Sequence, residues 1–204
     1  DLLYMFFGSY ICCMYILFFQ KFILLFLGKE FLLSESYVWL LALNMFFAIQ
    51  FENACNYRNT YGSFEKDRLY MVLSAVSKVV IAILLIKEYG IAGLMIGTIA
   101  GLAFIIYGRI IIVFKYILNR SISKYLFRHL IYSAIIVAEI LIIRQIIGFI
   151  NMPLSYTSLV LEGILVTIFM VVINIMIFHK NEEFRDLLSY VTNIIGIVKQ
   201  KTQI

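Results

Sequence analysis

Six apolar stretches, at residues 2–26, 37–57, 69–86, 91–113, 130–148 and 157–178, fill most of this 204-residue chain. Each is long enough to cross a bilayer, because a helix of about 20 apolar residues spans roughly 30 Å of hydrocarbon. Nearly all the charge falls between them. The chain is 63% hydrophobic and 14% charged, against about 45–50% and 25% for soluble domains. Lipid offers backbone N–H and C=O groups no partner, so only helices and closed barrels cross it. Runs such as residues 79–86 and 131–137 lack the period-two alternation of a barrel strand. The sequence therefore predicts an all-α, polytopic transmembrane bundle of six spans. Cys12, Cys13 and Cys55 lie inside apolar spans without metal-ligand spacing and read as packing residues.

Lys and Arg are distributed unevenly over the loops. Arg58, Lys66, Arg68, Arg109, Lys115, Arg120, Lys124, Arg128, Lys180, Arg185, Lys199 and Lys201 fall on one side, twelve in all. The other side holds four, Lys21, Lys29, Lys87 and Arg144, with Lys78 mid-span. The positive-inside rule assigns the twelve to the cytoplasm, with both ends of the chain there. The net charge of +5 then reflects topology, not a nucleic-acid footprint. Asp1 enters Leu2 and Leu3 directly, with no basic leader or signal peptide, which reads as a piece of a longer protein.

Within the spans, polar residues are the informative ones. The second span turns polar after Phe47, through Gln50, Glu52, Asn53, Asn56, Arg58 and Asn59, and this half is expected to face a wet cavity or the cytoplasmic mouth. Gln50, Asn53 and Tyr57 share a helix face by their i, i+3, i+7 spacing. Gly62 marks a turn, and residues 65–68 read as a solvated mixed-charge loop. Lys78 lies about 12 Å deep at 1.5 Å per residue, sharing a face with Ala75 and Ala82. Its readings are a partner within the bundle or a positive lining for an anionic substrate. A tight turn at residues 87–90 makes the third and fourth spans a hairpin. Gly93, Gly97 and Gly101, with Gly108 beyond, form a stripe that admits a neighbouring helix closely or serves as a hinge. Arg144 and Glu162, about 6 and 8 Å below the outer ends of their spans, are expected to pair across the Pro153 turn. Glu139 is deeper and has no partner in sequence; a proton relay is one reading of it.

Outside the spans, Arg120, Lys124 and Arg128 form a basic stripe suited to anionic headgroups. The helical spacing of Phe184, Leu187, Leu188, Val191, Ile194, Ile195 and Val198 predicts an interfacial helix in a cytoplasmic tail, residues 179–204. His129 and His179 match no metal or nucleophile pattern, and neither a paired-carboxylate loop nor a phosphate-binding glycine loop is present. No catalytic residue, metal ligand or cofactor is expected, and the chain reads as no enzyme.

The run Asn53-Ala54-Cys55-Asn56-Tyr57-Arg58-Asn59-Thr60-Tyr61-Gly62-Ser63-Phe64, followed by Asp67-Arg68-Leu69-Tyr70, resembles the polysaccharide repeat-unit flippases of the multidrug/oligosaccharidyl-lipid/polysaccharide exporter superfamily. The apolar exit from Phe22 to Gly28 and the turn Tyr89-Gly90-Ile91-Ala92-Gly93-Leu94-Met95-Ile96-Gly97-Thr98 are similar to that family's blocks, as is their spacing. The resemblance covers roughly residues 1–114 and continues by hydropathy alone. It implies two helical lobes around a central cavity plus two appended helices. Residues 1–114 would end the second lobe, residues 115–178 would be the appended pair, and an N-terminal lobe would lie upstream. It further implies a bacterial cytoplasmic-membrane protein that moves undecaprenyl-diphosphate-linked oligosaccharides outward by alternating access. Membrane lipids and the lipid-linked glycan would be its partners, with Arg58 at a basic position of the family-like run. The alternatives are a drug-exporting relative, for which acidic cavity residues would dominate, and a membrane polymerase or acyltransferase of glycan assembly, which needs a catalytic His or acidic pair.

Overall fold

The computed structural model describes residues 2–62, 64–119, 121–150, 152–181, 183–186 and 189. Among them every regular element is helical. The six long helices are α1 (Leu2–Phe26), α2 (Glu35–Tyr61), α3 (Phe64–Tyr89), α4 (Ile91–Ile111), α5 (Ile122–Ile150) and α6 (Tyr156–Phe178). All six are long and apolar enough to cross a membrane, the fourth counted with its π-helical continuation Ile112–Ile117. The chain is a multi-pass membrane protein.

Every span sits where the apolar runs place it, yet α2, α3 and α5 extend beyond them. Polar residues end a hydrophobic run but not a helix, because the backbone ladder continues wherever propensity and packing allow. The clearest correction concerns residues 65–68, which are not a loop. Helix α3 begins at Phe64, and its inward face carries Asp67, only 1% exposed, and Ser74, 7% exposed. The real turn is Gly62, whose φ of 62° lies in the left-handed region and whose N–H caps α2 by bonding to the Arg58 carbonyl.

The α3–α4 hairpin is the tightest pair. Gly90, at φ 55°, reverses the chain in one residue, and the antiparallel register runs from there. A Cβ on Gly93 would come within 2.7 Å of the Leu85 backbone, one on Gly97 within 2.7 Å of the Lys78 carbonyl, and one on Gly101 within 2.8 Å of the Ser74 carbonyl. The stripe thus lets two backbones touch, as packing without a hydrophobic driving force requires. Ser74 Oγ donates to the Gly101 carbonyl at 2.6 Å across this seam. Ala82 meets Gly97 as its spacing predicts; Ala75 is exposed instead, and Ser74 holds the interface position.

Helix α1 joins the hairpin side to α5 and α6. Met5, Cys12 and Cys13 of α1 pack with Ala42 of α2, with Ile136, Ile140, Ile143 and Ile147 of α5, and with Val166 and Met170 of α6. Cys12 Sγ bonds to the Ala42 carbonyl at 3.0 Å, and the Tyr10 and Thr167 hydroxyls meet at 3.2 Å. The three cysteines are free; Cys12 and Cys13 pack in this core, and Cys55 lies outside it. Ser158 Oγ bonds to the Pro153 carbonyl and so fixes the entry to α6.

The ion pairing between the outer helix ends differs from the sequence expectation. Arg144 and Glu162 each take another partner. Glu162, 2% exposed, meets Lys21 of α1 at 2.5 Å, and Arg144 meets Glu35 at the start of α2 at 2.5 Å. Similar depth on consecutive helices is not enough, because α1 lies against α6 and brings Lys21 to the buried carboxylate first. At the opposite end Arg128 turns to Glu183 at 2.5 Å, so it does not complete a free basic stripe; Lys124 is exposed. Phe184 is 5% exposed and packs with Leu2 and Phe178, so the tail begins against the bundle and not on lipid. The remaining tail positions proposed as apolar lie outside the described residues, as does Arg120.

Candidate functional site: polar and cationic groups of α2, α3 and α4

The hairpin register that sets Ser74 against Gly101 and Lys78 against Gly97 continues toward the open end of α3 and α4. There it places Tyr70 on Gly108 and Asp67 opposite Arg109. Asp67 accepts two hydrogen bonds from Arg109, at 2.9 Å from Nε and 2.8 Å from Nη2. This parallel fork is the strongest geometry available to an arginine and a carboxylate. Arg109 is 2% exposed. Its Nη1 bonds to Cys55 Sγ at 2.9 Å, and its guanidinium lies 4.8 Å from the Phe51 ring centroid. Counted in sequence as a loop charge, it is instead a buried member of the bundle.

Arg58 reaches the same carboxylate from α2 at 3.3 Å. It also donates to Asn59 Oδ1 at 3.2 and 3.1 Å and lies 5.2 Å from the Phe64 ring. Its side chain keeps 21% exposure. One carboxylate therefore holds two guanidinium groups, and the cluster retains a net positive charge at the end of three helices. Arg109 is fixed, because removing its partner would strand a buried ion; Arg58 has the looser contact and the solvent-facing side.

The other polar residues of α2 point elsewhere. Gln50, 3% exposed, donates to the Tyr4 carbonyl of α1 at 3.3 Å. Asn56 Nδ2 bonds to the Tyr4 hydroxyl. Asn53 is 7% exposed. Gln50 borders a cavity of ≈ 260 Å³ between α1, α2, α4 and α5, whose other polar walls are Tyr107, His129 and Ser133. A second space of ≈ 570 Å³ between α4 and α5 shares those three residues. Tyr57 stacks edge-on with Phe114 of the π-helical segment at 6.5 Å, and Phe114 meets Tyr125 at 4.7 Å. Polar groups shared as one face in sequence are thus divided between α1, the cavity and this aromatic contact.

Lys78 stands apart. It is eleven residues from Asp67 along α3, about 16 Å at 1.5 Å per residue. Its aliphatic stem lies over Gly101, where a Cβ would come within 2.5 Å of Lys78 Cγ. It is half-buried and makes no salt bridge among the described residues. Arg58 and Lys78 therefore belong to one helix hairpin and its neighbour, but to two different depths. Among the described residues no three His, Cys, Asp or Glu side chains come close enough to hold a metal ion.

Sequence reasoning passed over Asp67 and Arg109. Counting the hairpin register outward from Gly90 pairs these opposite charges, and that was the signal available.

No family model, curated protein or solved structure matches this chain.

Proposed function

We propose that this protein belongs to a membrane transporter that moves a polyprenyl-diphosphate-linked oligosaccharide across the bacterial cytoplasmic membrane for surface polysaccharide assembly. The observation that carries this reading is uncompensated positive charge within a six-span bundle. The Arg58–Asp67–Arg109 cluster holds two cations to one anion, and Lys78 sits mid-helix with no acidic partner among the described residues. Charge kept at the depth of Lys78 has a partner or a pathway, Arg58 adds positive potential at the helix ends, and a diphosphate supplies the anion. The sequence resemblance over residues 1–114 supports the same substrate class. The Lys and Arg split read from sequence, eleven to four once the buried Arg109 is set aside, favours a cytoplasmic Arg58 end, the side on which lipid-linked sugars are built.

The test is genetic, in the organism that carries the chain. Arg58→Gln combined with Lys78→Leu is expected to leave the protein in the membrane and abolish surface polysaccharide. Lipid-linked repeat units should accumulate in the cells. Arg58→Lys should be milder than Arg58→Glu. Normal export from the double variant would remove both residues from the transport path. An acidic drug-exporter cavity is disfavoured, since no Asp or Glu lines the ≈ 260 Å³ or the ≈ 570 Å³ space.

A further inference from the structure

The carboxyl of Glu139 is one of two among the described residues that keep a buried oxygen without a hydrogen-bond partner, the other being Glu183; unlike Glu183, which meets Arg128, it has no salt bridge among the described residues. It lies in the middle of α5, 3% exposed. Its Oε1 accepts one hydrogen bond, from Asn174 Nδ2 of α6 at 2.8 Å. Its Oε2 is buried and has no hydrogen-bond partner among the described residues. The same face of α5 carries Ile136, Ile140 and Ile143, buried with Cys13 of α1 and Met170 of α6. From α1 the Cys13 thiol is the titratable group within electrostatic reach. From α6 the facing polar group is the non-titrating Asn174, and no salt bridge to Glu139 occurs among the described residues. Natural interiors satisfy nearly all such atoms, so an orphaned carboxylate oxygen calls for an explanation.

We propose that Glu139 Oε2 is a proton-binding site at the junction of α1, α5 and α6, filled in the arrangement seen here and emptied only when α6 separates from α5. The ligand follows from what surrounds it. Hard metal cations need several oxygen ligands, whereas Asn174 presents its nitrogen and its neighbours are hydrocarbon and sulfur. A bare carboxylate with one hydrogen bond is the form an apolar interior tolerates least, and a neutral O–H left without an acceptor is a far smaller burden. On release the O–H bond breaks, the proton passes to water as hydronium, and the carboxylate stays behind. That step needs water beside Oε2. A groove of ≈ 330 Å³ between α1 and α6 is bordered by Phe7, Tyr10, Thr167, Met170, Val171 and Asn174 itself. Asn174 also donates to the Met170 carbonyl of its own helix at 2.8 Å, so it moves with α6. Withdrawing α6 would take away the one hydrogen bond and admit water at the same time. The site stands whether or not the translocation reading holds.

Infrared spectroscopy of the protein in lipid nanodiscs tests this. At neutral pH in potassium buffer, a protonated-carboxyl C=O stretch should be present and absent from Glu139→Gln. The stretch should shift in Asn174→Leu, which keeps the carboxyl and removes its hydrogen bond; a carboxyl with a merely structural role would show no titration coupled to movement of α6. Sodium at constant pH should leave the band unchanged. Spin labels at Val137 and Val171 in a Cys-free background should move apart as the band titrates away, and stay together in Glu139→Gln. Absence of an assignable band in a folded protein would overturn the proposal, as would its loss on adding sodium. A band that titrates while the labels hold their distance would overturn the coupling to α6. If Glu139→Gln does not fold, Glu139→Asp and Asn174→Leu carry the same assignment.

Discussion

Asp67 shows how much one side chain governs at the residue scale. It is 1% exposed and holds Arg109, 2% exposed, in a two-bond fork while touching the more open Arg58. Removing one member of a buried pair typically costs about 3–5 kcal/mol, and an exposed pair is worth about 0–1 kcal/mol. Asp67→Asn is therefore expected to lower the thermal unfolding midpoint in detergent well below that of Arg58→Ala. Equal midpoints would contradict the assignment of Arg109 as the fixed partner. Lys21 and Glu162 offer the complementary case. Lys21→Ala strands Glu162, 2% exposed, at a cost of about 3–5 kcal/mol, whereas Lys21→Met with Glu162→Leu should recover most of the loss. Sequence made the depth of Arg144, Glu162 and Lys78 legible, since depth follows from counting residues along a span. It left the partners of Arg144 and Glu162 hidden, because Glu35 and Lys21 come from helices far away in the chain, and neighbourhood between helices is decided by packing.

At the element scale the α3–α4 hairpin was readable nearly whole. The Gly93, Gly97 and Gly101 stripe, the Gly90 turn and the facing Ala82 are local patterns, and the backbone contacts follow from them. The helix ends were less readable: hydropathy stops at residue 69 while helix α3 starts at Phe64, and this shift hid Asp67. The π-helical turn Ile112–Ile117, which presents Phe114 to Tyr125, has no local sequence signal at all. Glycine substitutions separate packing from propensity. A Cβ at Gly97 would lie 2.7 Å from the Lys78 carbonyl and 2.9 Å from the Ala82 nitrogen, both backbone atoms, while nothing lies within 4 Å of one at Gly163. Gly97→Ala should destabilise by about 1–3 kcal/mol, the usual range for overpacking. Gly163→Ala should be neutral or stabilising by about 0.5–1 kcal/mol, since a helix interior prefers Ala. Differential scanning fluorimetry on the two variants checks the contrast.

For the whole molecule, six spans and their basic loops define a topology that labelling can read. In a Cys-free variant, Lys66→Cys should resist an impermeant thiol reagent in intact cells and Lys29→Cys should react. The reverse pattern would invert the orientation. The bundle itself was legible because each span announces itself by composition, and the polar half of α2 marked where charge would gather. The division of that half between α1, the ≈ 260 Å³ cavity and the Asp67 cluster was not legible, because a helical face in sequence says nothing about which neighbour it meets. The most direct measurement is transport by the protein in liposomes carrying a fluorescent polyprenyl-diphosphate oligosaccharide, scored by headgroup access to an impermeant quencher. The translocation reading predicts transbilayer movement above protein-free liposomes, lost when Arg58 and Lys78 are neutralised together. Movement no faster than in protein-free liposomes, from a protein shown to be folded and inserted, would contradict it.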